Sequence, residues 1–330
     1  MPEQKPLVLV LGDCLLDKQR YVTYSRQSPE DPSCPIGENE KEEWVLGGAA
    51  NVARWIKGLG DAGAVRLTSH YSAHDPNASV LNRLLKEAGV EQTVYLLRRD
   101  GQGTVKERLY LRTGGPDESV PWRQVLRIDA DTDMELTAED AQVLCGHLAL
   151  SAVVKKPAAL VIADYGKGVC SGPHAERFLK ELAAFVGAQE IPTIINSKYP
   201  QRWRSFVTDF LVCNQEEHGT LNGQATSARH LVITRAHRGV SAYVSGGAPW
   251  ALHHEHAPSL AVDVRDVTGA GDAFLAGLTS HLIRIGFRRG QVLENGALRR
   301  ALDEGQSAAA ACVYQLGCGV PARLGLGEVG

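Results

Sequence analysis

The chain has 330 residues, of which 44% are apolar and 22% are charged, and its formal net charge is −3 at pH 7. These values are typical of a globular protein with a sizeable core, and the slightly acidic balance argues against a nucleic-acid partner. Every apolar run is shorter than the roughly 18 residues that a membrane-spanning helix needs, and the polar N-terminus has no signal-peptide pattern. We therefore expect a cytoplasmic protein with no membrane partner.

The seven cysteines are an odd number and include no Cys-x-x-Cys pair. Several of them lie in apolar segments that are predicted to be strands or helices. This pattern favours reduced thiols in a reducing compartment over a disulfide framework or a zinc site.

The first part of the chain begins with an apolar run at residues 7–11 that predicts a buried parallel strand. Residues 18–46 contain three prolines and no comparable run, which predicts a segment that protrudes from the main sheet. A helix at 48–59 and a strand at 65–69 follow, and Asn77 can cap the next helix.

Three strand-like segments come next with no helix between them. This order predicts an antiparallel meander. The segments are residues 93–97, 104–111 and 124–128.

Strands and helices alternate from Thr137 onward, where Thr137-Ala-Glu-Asp resembles a capping box. Strands are predicted at 160–163, 193–196, 210–213 and 231–234, a hairpin at 239–244 and 250–253, and helices at 171–187, 271–285 and 298–316. The alternation predicts a doubly wound, mostly parallel α/β sheet flanked by helices. We expect one domain over residues 1–330, with a small β-sheet lid from about 18–46 and 93–130.

The strongest chemical signal is Asp266-Val-Thr-Gly-Ala-Gly-Asp272, a turn of small residues that leads into an apolar helix. Gly269, Ala270 and Gly271 lack bulk, so their backbone N–H groups can approach an anion at the helix N-terminus. Asp272 would then lie where it can take a proton from a hydroxyl that attacks phosphorus. The alternative is a glycine-rich turn in which Asp272 is an ordinary acid of the first helical turn.

This heptapeptide resembles the signature of the ribokinase-like (PfkB) carbohydrate kinases, and further motifs of that family follow in the same order along almost the whole chain. The resemblance implies a ribokinase-like fold and phosphoryl transfer from ATP with Mg²⁺, with K⁺ as an additional cation. It also implies that Asp272 is the general base and that the amides of 269–271 form the anion hole. The further motifs are Gly12-Asp13 with Asp17, Gly47-Gly48-Ala-Ala-Asn51, Asn214-x-x-Glu217 and Thr234-Arg-Ala-His-Arg-Gly239.

The resemblance also implies binding roles for individual residues. The sugar would contact Asp13, Asp17, Gly47, Gly48 and Asn51. The nucleotide would contact Asn196, Asn214, Glu217, Thr234, Gly239, Ala308 and Gly317. Glu217 would organise Mg²⁺ indirectly, and the monovalent cation would rest on backbone oxygens near Asp266 and Thr268.

One subgroup of the family fits best. Ser25-Arg26-Gln-Ser28-Pro29-Glu30-Asp-Pro32 resembles the lid of heptose-7-phosphate kinases, the kinase domain of the ADP-heptose synthesis enzymes. The segments 124–129 and 164–168 resemble the same subgroup, which implies transfer to O1 of heptose 7-phosphate. A phosphorylated sugar needs cations, although solvated charges of the lid are the alternative interpretation. The candidate substrate residues are Lys106, Arg108, Arg127, Asp164, Lys167 and Lys198.

Departures from the subgroup leave the acceptor open. The subgroup has Asp-Pro-Lys where this chain has Asn196-Ser-Lys198, and the stretch from Glu217 to Leu231 is short. Fructose, ribose, a nucleoside or another sugar phosphate are alternative acceptors. A catalytically silent sugar- or nucleotide-binding regulator is the alternative from a different class. Exposed lid strands would also favour a homodimer.

Three other patterns do not predict function. The glycine patterns at 317–322 and 325–330 match a loose dinucleotide fingerprint, but neither opens the helix of a βαβ unit. The chain has no P-loop motif. The segment His253-His-Glu-His256 is interpreted as a surface hairpin, because a transition-metal site would need further ligands.

Overall fold

A computed structural model gives the fold of the protein. It describes residues 5–72, 74–97, 101–112, 121–131, 134–244, 253–260, 263–293 and 295–319. Residues 250–252, which begin the second strand of the predicted late hairpin, lie outside these residues. The glycine pattern at 325–330 and the end of the pattern at 317–322 also lie outside them.

Strands and helices alternate along most of the described chain. The strands are β1 (Leu7–Gly12), β2 (Cys14–Gln27), β3 (Pro35–Gly48), β4 (Ala64–Ser72), β5 (Glu91–Leu97), β6 (Thr104–Arg112), β7 (Arg123–Ala130), β8 (Pro157–Asp164), β9 (Thr193–Ser197), β10 (Phe210–Asn214), β11 (His230–Thr234), β12 (Val240–Val244) and β13 (His253–Ala257). The helices are α1 (Ala49–Leu59), α2 (Ala78–Glu87), α3 (Ala138–Val154), α4 (Ala175–Gln189), α5 (Gln215–Gly219), α6 (Ala270–Arg284) and α7 (Asn295–Val313).

Nine strands form a large sheet in the order β13-β12-β11-β10-β9-β8-β1-β4-β5. The pairs from β11 to β5 are parallel, and only β12 and β13 pair antiparallel at one edge. The predicted mostly parallel α/β sheet is therefore confirmed. The late hairpin pairing is also confirmed, because β12 pairs antiparallel with β13, which is described from His253 to Ala257.

Helices cover both faces of the large sheet. Val8 and Val10 of β1 contribute to one core, which packs against α1, α2, α6 and α7. Leu7, Leu9 and Leu11 point to the opposite face and join a second core with α3 and α4. Because neighbouring side chains of a strand alternate in direction, the apolar run of β1 supplies both cores.

Four strands form a second, smaller sheet in the order β3-β2-β6-β7. The long strands β2 and β3 pair antiparallel from the main body outward, with Cys14 opposite Gly48. β6 pairs parallel with β2, so that Lys106 lies opposite Asp17. We call this unit the small sheet.

The predicted antiparallel meander is wrong. β5 belongs to the large sheet, where it pairs parallel with β4 and places Glu91 opposite Arg66. The segment β4-α2-β5 is a strand–helix–strand crossover, the usual connection between neighbouring parallel strands. The small sheet therefore begins at Thr104 in this part of the chain, and only β6 and β7 pair antiparallel there.

The helix starts follow the local chemistry of the chain. The predicted capping box of α3 is confirmed, because Thr137 accepts from the amide of Asp140 and the Asp140 side chain accepts in return. α6 is buried from Asp272 to Leu282, and α7 packs closely along it. A β carbon at Gly277 would lie 2.6 Å from the carbonyl of Glu304, so this approach requires glycine. In the described part, every helix is too short or too polar to cross a membrane.

Candidate active site

The turn before α6 has a backbone that requires a small residue. Gly269 adopts φ of 78°, in the left-handed region where other side chains are strained. The amide of Ala270 donates to the carbonyl of Val267 at 3.2 Å, so it closes the turn, which weakens its predicted role in the anion hole. A β carbon added at Gly271 would meet no atom within 4 Å, which shows that Gly271 borders open space.

Asp272 lies in the first turn of α6 and is held from two sides. Asn51 Nδ2 donates to Oδ2 of Asp272 at 2.7 Å, and the Tyr165 hydroxyl donates to Oδ1. Burial raises the pKa of Asp272 above its ordinary value. The two hydrogen bonds and the charges of Arg54 and Lys198 act in the opposite direction. A carboxylate with a raised pKa is a stronger proton acceptor, which suits a general base.

Replacing Tyr165 with phenylalanine tests this balance. The hydroxyl stabilises the ionised form of Asp272, so its loss raises the pKa of Asp272 further. We expect the acid limb of the kcat/KM profile to move to higher pH, because the base must lose its proton before it can act. Tyr199→Phe on the neighbouring turn is the control, and identical acid limbs in wild type and Tyr165→Phe would contradict this account.

Two cavities border the N-terminus of α6. The charged cavity, of about 330 Å³, lies between the small sheet and the carboxyl ends of β9, β10 and β11. The apolar cavity, of about 510 Å³, lies against α6, α7 and the turn after β11. Asn214, Thr234, Val267 and Gly271 line both, so the two cavities meet beside Gly271. In open α/β sheets ligands commonly bind at the carboxyl ends of the strands.

The charged cavity brings together most of the predicted site residues. Residues from the small sheet and from the large sheet face each other across it. The predicted residues that line it are Asp17, Gly48, Lys106, Arg127, Asn196, Lys198, Asn214, Glu217, Thr234, Thr268, Gly269, Gly271 and Asp272. Arg108, also a candidate, lines it too.

Positive charge accumulates in the charged cavity. Lys106 forms ion pairs with Asp129 and Asp131 at 3.0 and 3.4 Å, and Arg108 pairs with Asp17. Lys198 instead lies over the ring of Tyr165, 5.2 Å from its centroid. Among the ion pairs of the described residues none includes Lys198, so its charge is available to an anion.

The apolar cavity has a different lining. Val264, Phe274, Ala309, Ala310 and Val313 supply apolar surface, and predicted Gly239 borders it with Ala270. This lining matches the flat, weakly polar face of a purine.

Asp13 does not line either cavity. It is 1% exposed, and its oxygens accept from the amides of Tyr165, Lys167 and Val169 at 2.8, 3.1 and 2.9 Å. Burial raises the pKa of Asp13 to about 6. In the structure Asp13 thus fixes the loop that carries Tyr165, and its predicted sugar contact stays a prediction.

Asp164 and Lys167 also differ from the prediction of substrate contacts. Asp164 is 1% exposed and accepts from Arg202, Trp203 and Ser197, all at 2.8 Å. Its hydrogen bonds hold the turn after β9. Lys167 forms an ion pair with Asp131 at 2.7 Å and lies outside the lining of the charged cavity.

Two residues of the motif Gly47-Gly48-Ala-Ala-Asn51 contact side chains of the site without lining either cavity. The amide of Asn51 is fully buried and bridges Asp272 and Arg54, so Asn51 lies behind Asp272 and does not line the charged cavity. A β carbon at Gly47 would lie 2.6 Å from Oδ2 of Asp17, so Gly47 makes room for that carboxylate.

Two predicted nucleotide residues face elsewhere. Ala308 is 1% exposed and packs on Gly277, while Ala309 and Ala310 line the apolar cavity. The amide of Gly317 donates to Oδ2 of Asp266 at 2.9 Å. The sequence located the part of α7 that borders the apolar cavity, but it could not tell which face of the helix does so.

Glu217 has the environment expected of a residue that organises Mg²⁺. Its Oε2 accepts from the amide of Asn214 at 2.7 Å in a capping box, and the side chain also lines the charged cavity. Burial raises the pKa of Glu217, and the positive charge of Lys198 acts in the opposite direction. A half-buried carboxylate beside a phosphate site fits a hydrated Mg²⁺ ion.

Sequence reasoning missed two side chains near Asp272. Tyr165 lies inside the segment 164–168, but the sequence assigned no role to its hydroxyl. Arg54 follows Asn51 by three residues in α1, between the buried residues Ala53 and Trp55, where a charge is unusual. That placement was the available signal, since residues three apart share a helix face.

Comparison with known proteins agrees with this geometry. A family model described as pfkB family carbohydrate kinase matches residues 5–323. The chain belongs to the pfkB family of carbohydrate kinases. The predicted family and the prediction of a carbohydrate kinase are thereby confirmed.

Curated relatives of this pfkB chain carry the name Bifunctional protein HldE. The protein from Pseudomonas paraeruginosa is 33% identical over 85% of this chain and 56% of its own length. The protein from Vibrio cholerae is 28% identical over 97% of this chain and 63% of its own length. The chain thus spans less than two thirds of the curated relatives it matches.

Solved structures with the same fold include other sugar kinases. Ribokinase from Giardia lamblia has a TM-score of 0.66 at 13% identity, covering 97% of this chain and 96% of its own. Phosphofructokinase-2 from Escherichia coli, solved in complex with potassium, has a TM-score of 0.65 at 15% identity, and the match covers 96% of each chain. These matches confirm the ribokinase-like fold.

Proposed function

We propose that this kinase transfers the γ-phosphoryl group of ATP to O1 of heptose 7-phosphate. The observation that carries the substrate class is Lys198. Burial lowers its pKa, the nearby positive charges of Lys106, Lys167 and Arg127 lower it further, and the negative charge of Glu217 acts in the opposite direction. Lys106, Lys167 and Arg127 are paired with Asp129 or Asp131, whereas Lys198 has no ion-pair partner among the described residues. A bound anion would satisfy the charge of Lys198, and a sugar phosphate supplies one.

The two cavities suggest how the substrates lie. The adenine of ATP would lie in the apolar cavity, and its phosphates would reach the junction at Gly271. The sugar would lie in the charged cavity with its phosphate near Lys198. The reacting hydroxyl would then be placed beside Asp272.

The chemical step needs few protein groups. Asp272 takes the proton of the attacking hydroxyl, the oxygen bonds to the γ-phosphorus, and ADP leaves with the electrons of the broken P–O bond. The amide of Gly271 faces the phosphoryl oxygens at the N-terminus of α6. Mg²⁺ held near Glu217 and Asn214 would neutralise phosphate charge. The small sheet would cover the site and exclude water.

A panel of acceptors tests the proposal by release of ADP. The panel pairs each phosphorylated sugar with its unphosphorylated parent: heptose 7-phosphate with heptose, and fructose 6-phosphate with fructose. Ribose and a nucleoside complete it. We expect heptose 7-phosphate to have the highest kcat/KM. A nucleoside or ribose as the best acceptor would contradict the proposal, and binding without ADP release would indicate a silent regulator.

We also propose a cytoplasmic homodimer that pairs through the small sheet. All seven cysteines are free thiols, as expected in a reducing compartment. β7 is an edge strand with every residue exposed, and Val125, Leu126 and Ile128 are 52%, 50% and 53% exposed. Apolar edge strands tend to pair with another chain.

Introducing a charge on β7 tests the dimer. We expect Ile128→Lys to raise the dimer Kd by at least about tenfold, because it buries a charge in the interface. Sedimentation equilibrium measures this change. Val153→Lys on α3, where the side chain is 81% exposed, is the control. A wild-type protein that is monomeric at all concentrations would contradict the dimer.

A further inference from the structure

Some backbone oxygens at and beside the predicted monovalent-cation site already face hydrogen-bond donors. The thiol of Cys312 lies 3.3 Å from the carbonyl oxygen of Thr268 and 3.5 Å from that of Cys318, and its single hydrogen is directed to one of them at a time. The carbonyl of Val313, at the end of α7, accepts from the amides of Arg265 and Asp266 at 2.8 and 3.3 Å. Among the described residues, these donors compete with an ion that needs several oxygen ligands.

The next turn of the chain is occupied by a positively charged side chain. Arg54 Nη2 donates to the carbonyl oxygen of Gly319 at 2.5 Å, and it lies 3.2 Å from that of Cys318, which can only share one of the two Nη2 hydrogens. The carbonyl of Cys318 also accepts from Trp55 Nε1 at 3.3 Å. A carbonyl oxygen has two lone pairs, so that of Cys318 is saturated. A metal cation at these oxygens would have to displace the guanidinium, because like charges repel strongly inside a protein.

The same nitrogen of Arg54 connects this turn to the base. Nη2 donates to Oδ1 of Asn51 at 2.6 Å, and Nδ2 of Asn51 donates to Asp272. The positive charge of Arg54 lowers the pKa of Asp272 and so favours its ionised form. Burial lowers the pKa of Arg54, but a guanidinium stays protonated in proteins.

We infer that the Arg54 guanidinium replaces the monovalent cation in this kinase, so that the chain supplies its own fixed positive charge behind the Gly269–Gly271 turn. Arg54 does not touch the reacting atoms. It is a positioning residue that orients Asn51, and through it Asp272, and ties them to the turn after α7. The enzyme therefore works without K⁺.

The wild-type enzyme gives the first test. We expect kcat to be the same in potassium chloride and in tetramethylammonium chloride at equal ionic strength. The rise in Tm caused by Mg²⁺ and ADP should also be the same in the two salts. This second measurement needs no acceptor sugar, so it remains decisive if heptose 7-phosphate is not the substrate. A clear dependence of either quantity on K⁺ would overturn the inference.

Replacement of Arg54 gives the second test. Arg54→Met should lower kcat by about 10²-fold, the usual cost of losing one preorganised electrostatic contact. It should also free the carbonyls of Cys318 and Gly319, so that added K⁺ or guanidinium, but not tetramethylammonium, restores part of the activity. Arg54→Lys keeps the charge and should retain most activity.

Controls separate this role from a purely structural one. Arg83→Met removes an exposed ion pair with Glu87 on α2, and it should change neither kcat nor the response of kcat to K⁺. Full activity of Arg54→Met without K⁺ would overturn the inference. If Arg54→Met fails to fold, the test uses the wild type and Arg54→Lys. A folded Arg54→Lys variant that requires K⁺ would show that a fixed positive charge at this position does not substitute for the cation, and it would overturn the inference.

Discussion

Replacement of Asp272 with asparagine is expected to lower kcat by about 10²–10⁴-fold, the usual cost of losing a general base. The change should leave the fold intact. A tyrosine hydroxyl can accept as well as donate, so Tyr165 can accept from the new amide while the remaining oxygen accepts from Asn51. The affinity for ATP should also be retained, because the adenine is placed in the apolar cavity.

Steady-state kinetics and ATP titration measure the two parts of this result separately. Asp303→Asn is the matched control, because Asp303 forms an exposed ion pair with Arg299 on α7. We expect that control to behave as wild type. Turnover close to wild type in Asp272→Asn would exclude Asp272 as the base.

Replacement of Lys198 with methionine is expected to remove the preference for a phosphorylated acceptor. A charge-assisted hydrogen bond contributes about 1.5–3 kcal/mol, so kcat/KM for heptose 7-phosphate should fall roughly 10- to 100-fold. The unphosphorylated heptose makes no such bond, and its kcat/KM should change little. The ratio of the two values is the measurement.

The comparison between acceptors guards against a general loss of activity. Lys180→Met on α4 removes an exposed ion pair with Glu176 and serves as the control. An equal loss for the phosphorylated and unphosphorylated sugars in Lys198→Met would show that Lys198 contacts the transferred phosphoryl group instead. That result would contradict the placement of the sugar phosphate.

The sequence predicted the elements better than their partners. The apolar run of β1 and the capping box of α3 are local signals, and both are confirmed. The sequence predicted β5 as a strand but assigned it to the wrong sheet, because periodicity does not indicate which strand lies beside it. The order β4-α2-β5 already contained the strand–helix–strand pattern that favours parallel pairing in one sheet.

Motifs located the site but not the direction of each side chain. Asp17 and Asp272 line the charged cavity, whereas Asp13 turns to three backbone amides of a loop that begins about 150 residues later in the chain. Loop backbones have no periodicity, so this arrangement leaves no signal near Asp13 itself. A carboxylate at the end of a strand can serve a loop or a substrate equally well on sequence grounds.

The role of Arg54 illustrates a different limit. The family pattern implied a cation on backbone oxygens near Asp266 and Thr268. In the structure the carbonyl of Thr268 faces the thiol of Cys312, and the nearby carbonyls of Cys318 and Gly319 face Arg54. A positive charge three residues after Asn51 is visible in the sequence, but its partners, Cys318 and Gly319, follow more than 260 residues later. Only the folded chain brings them together.

Phosphorus-31 NMR of a reaction containing the protein, ATP·Mg²⁺ and heptose 7-phosphate is the most direct test of the proposed phosphoryl transfer. We expect ADP to form together with a second phosphate ester on the sugar, coupled to the anomeric proton, while the original ester signal remains. Release of inorganic phosphate alone, or a sugar that stays singly phosphorylated while another acceptor in the panel reacts, would contradict the account.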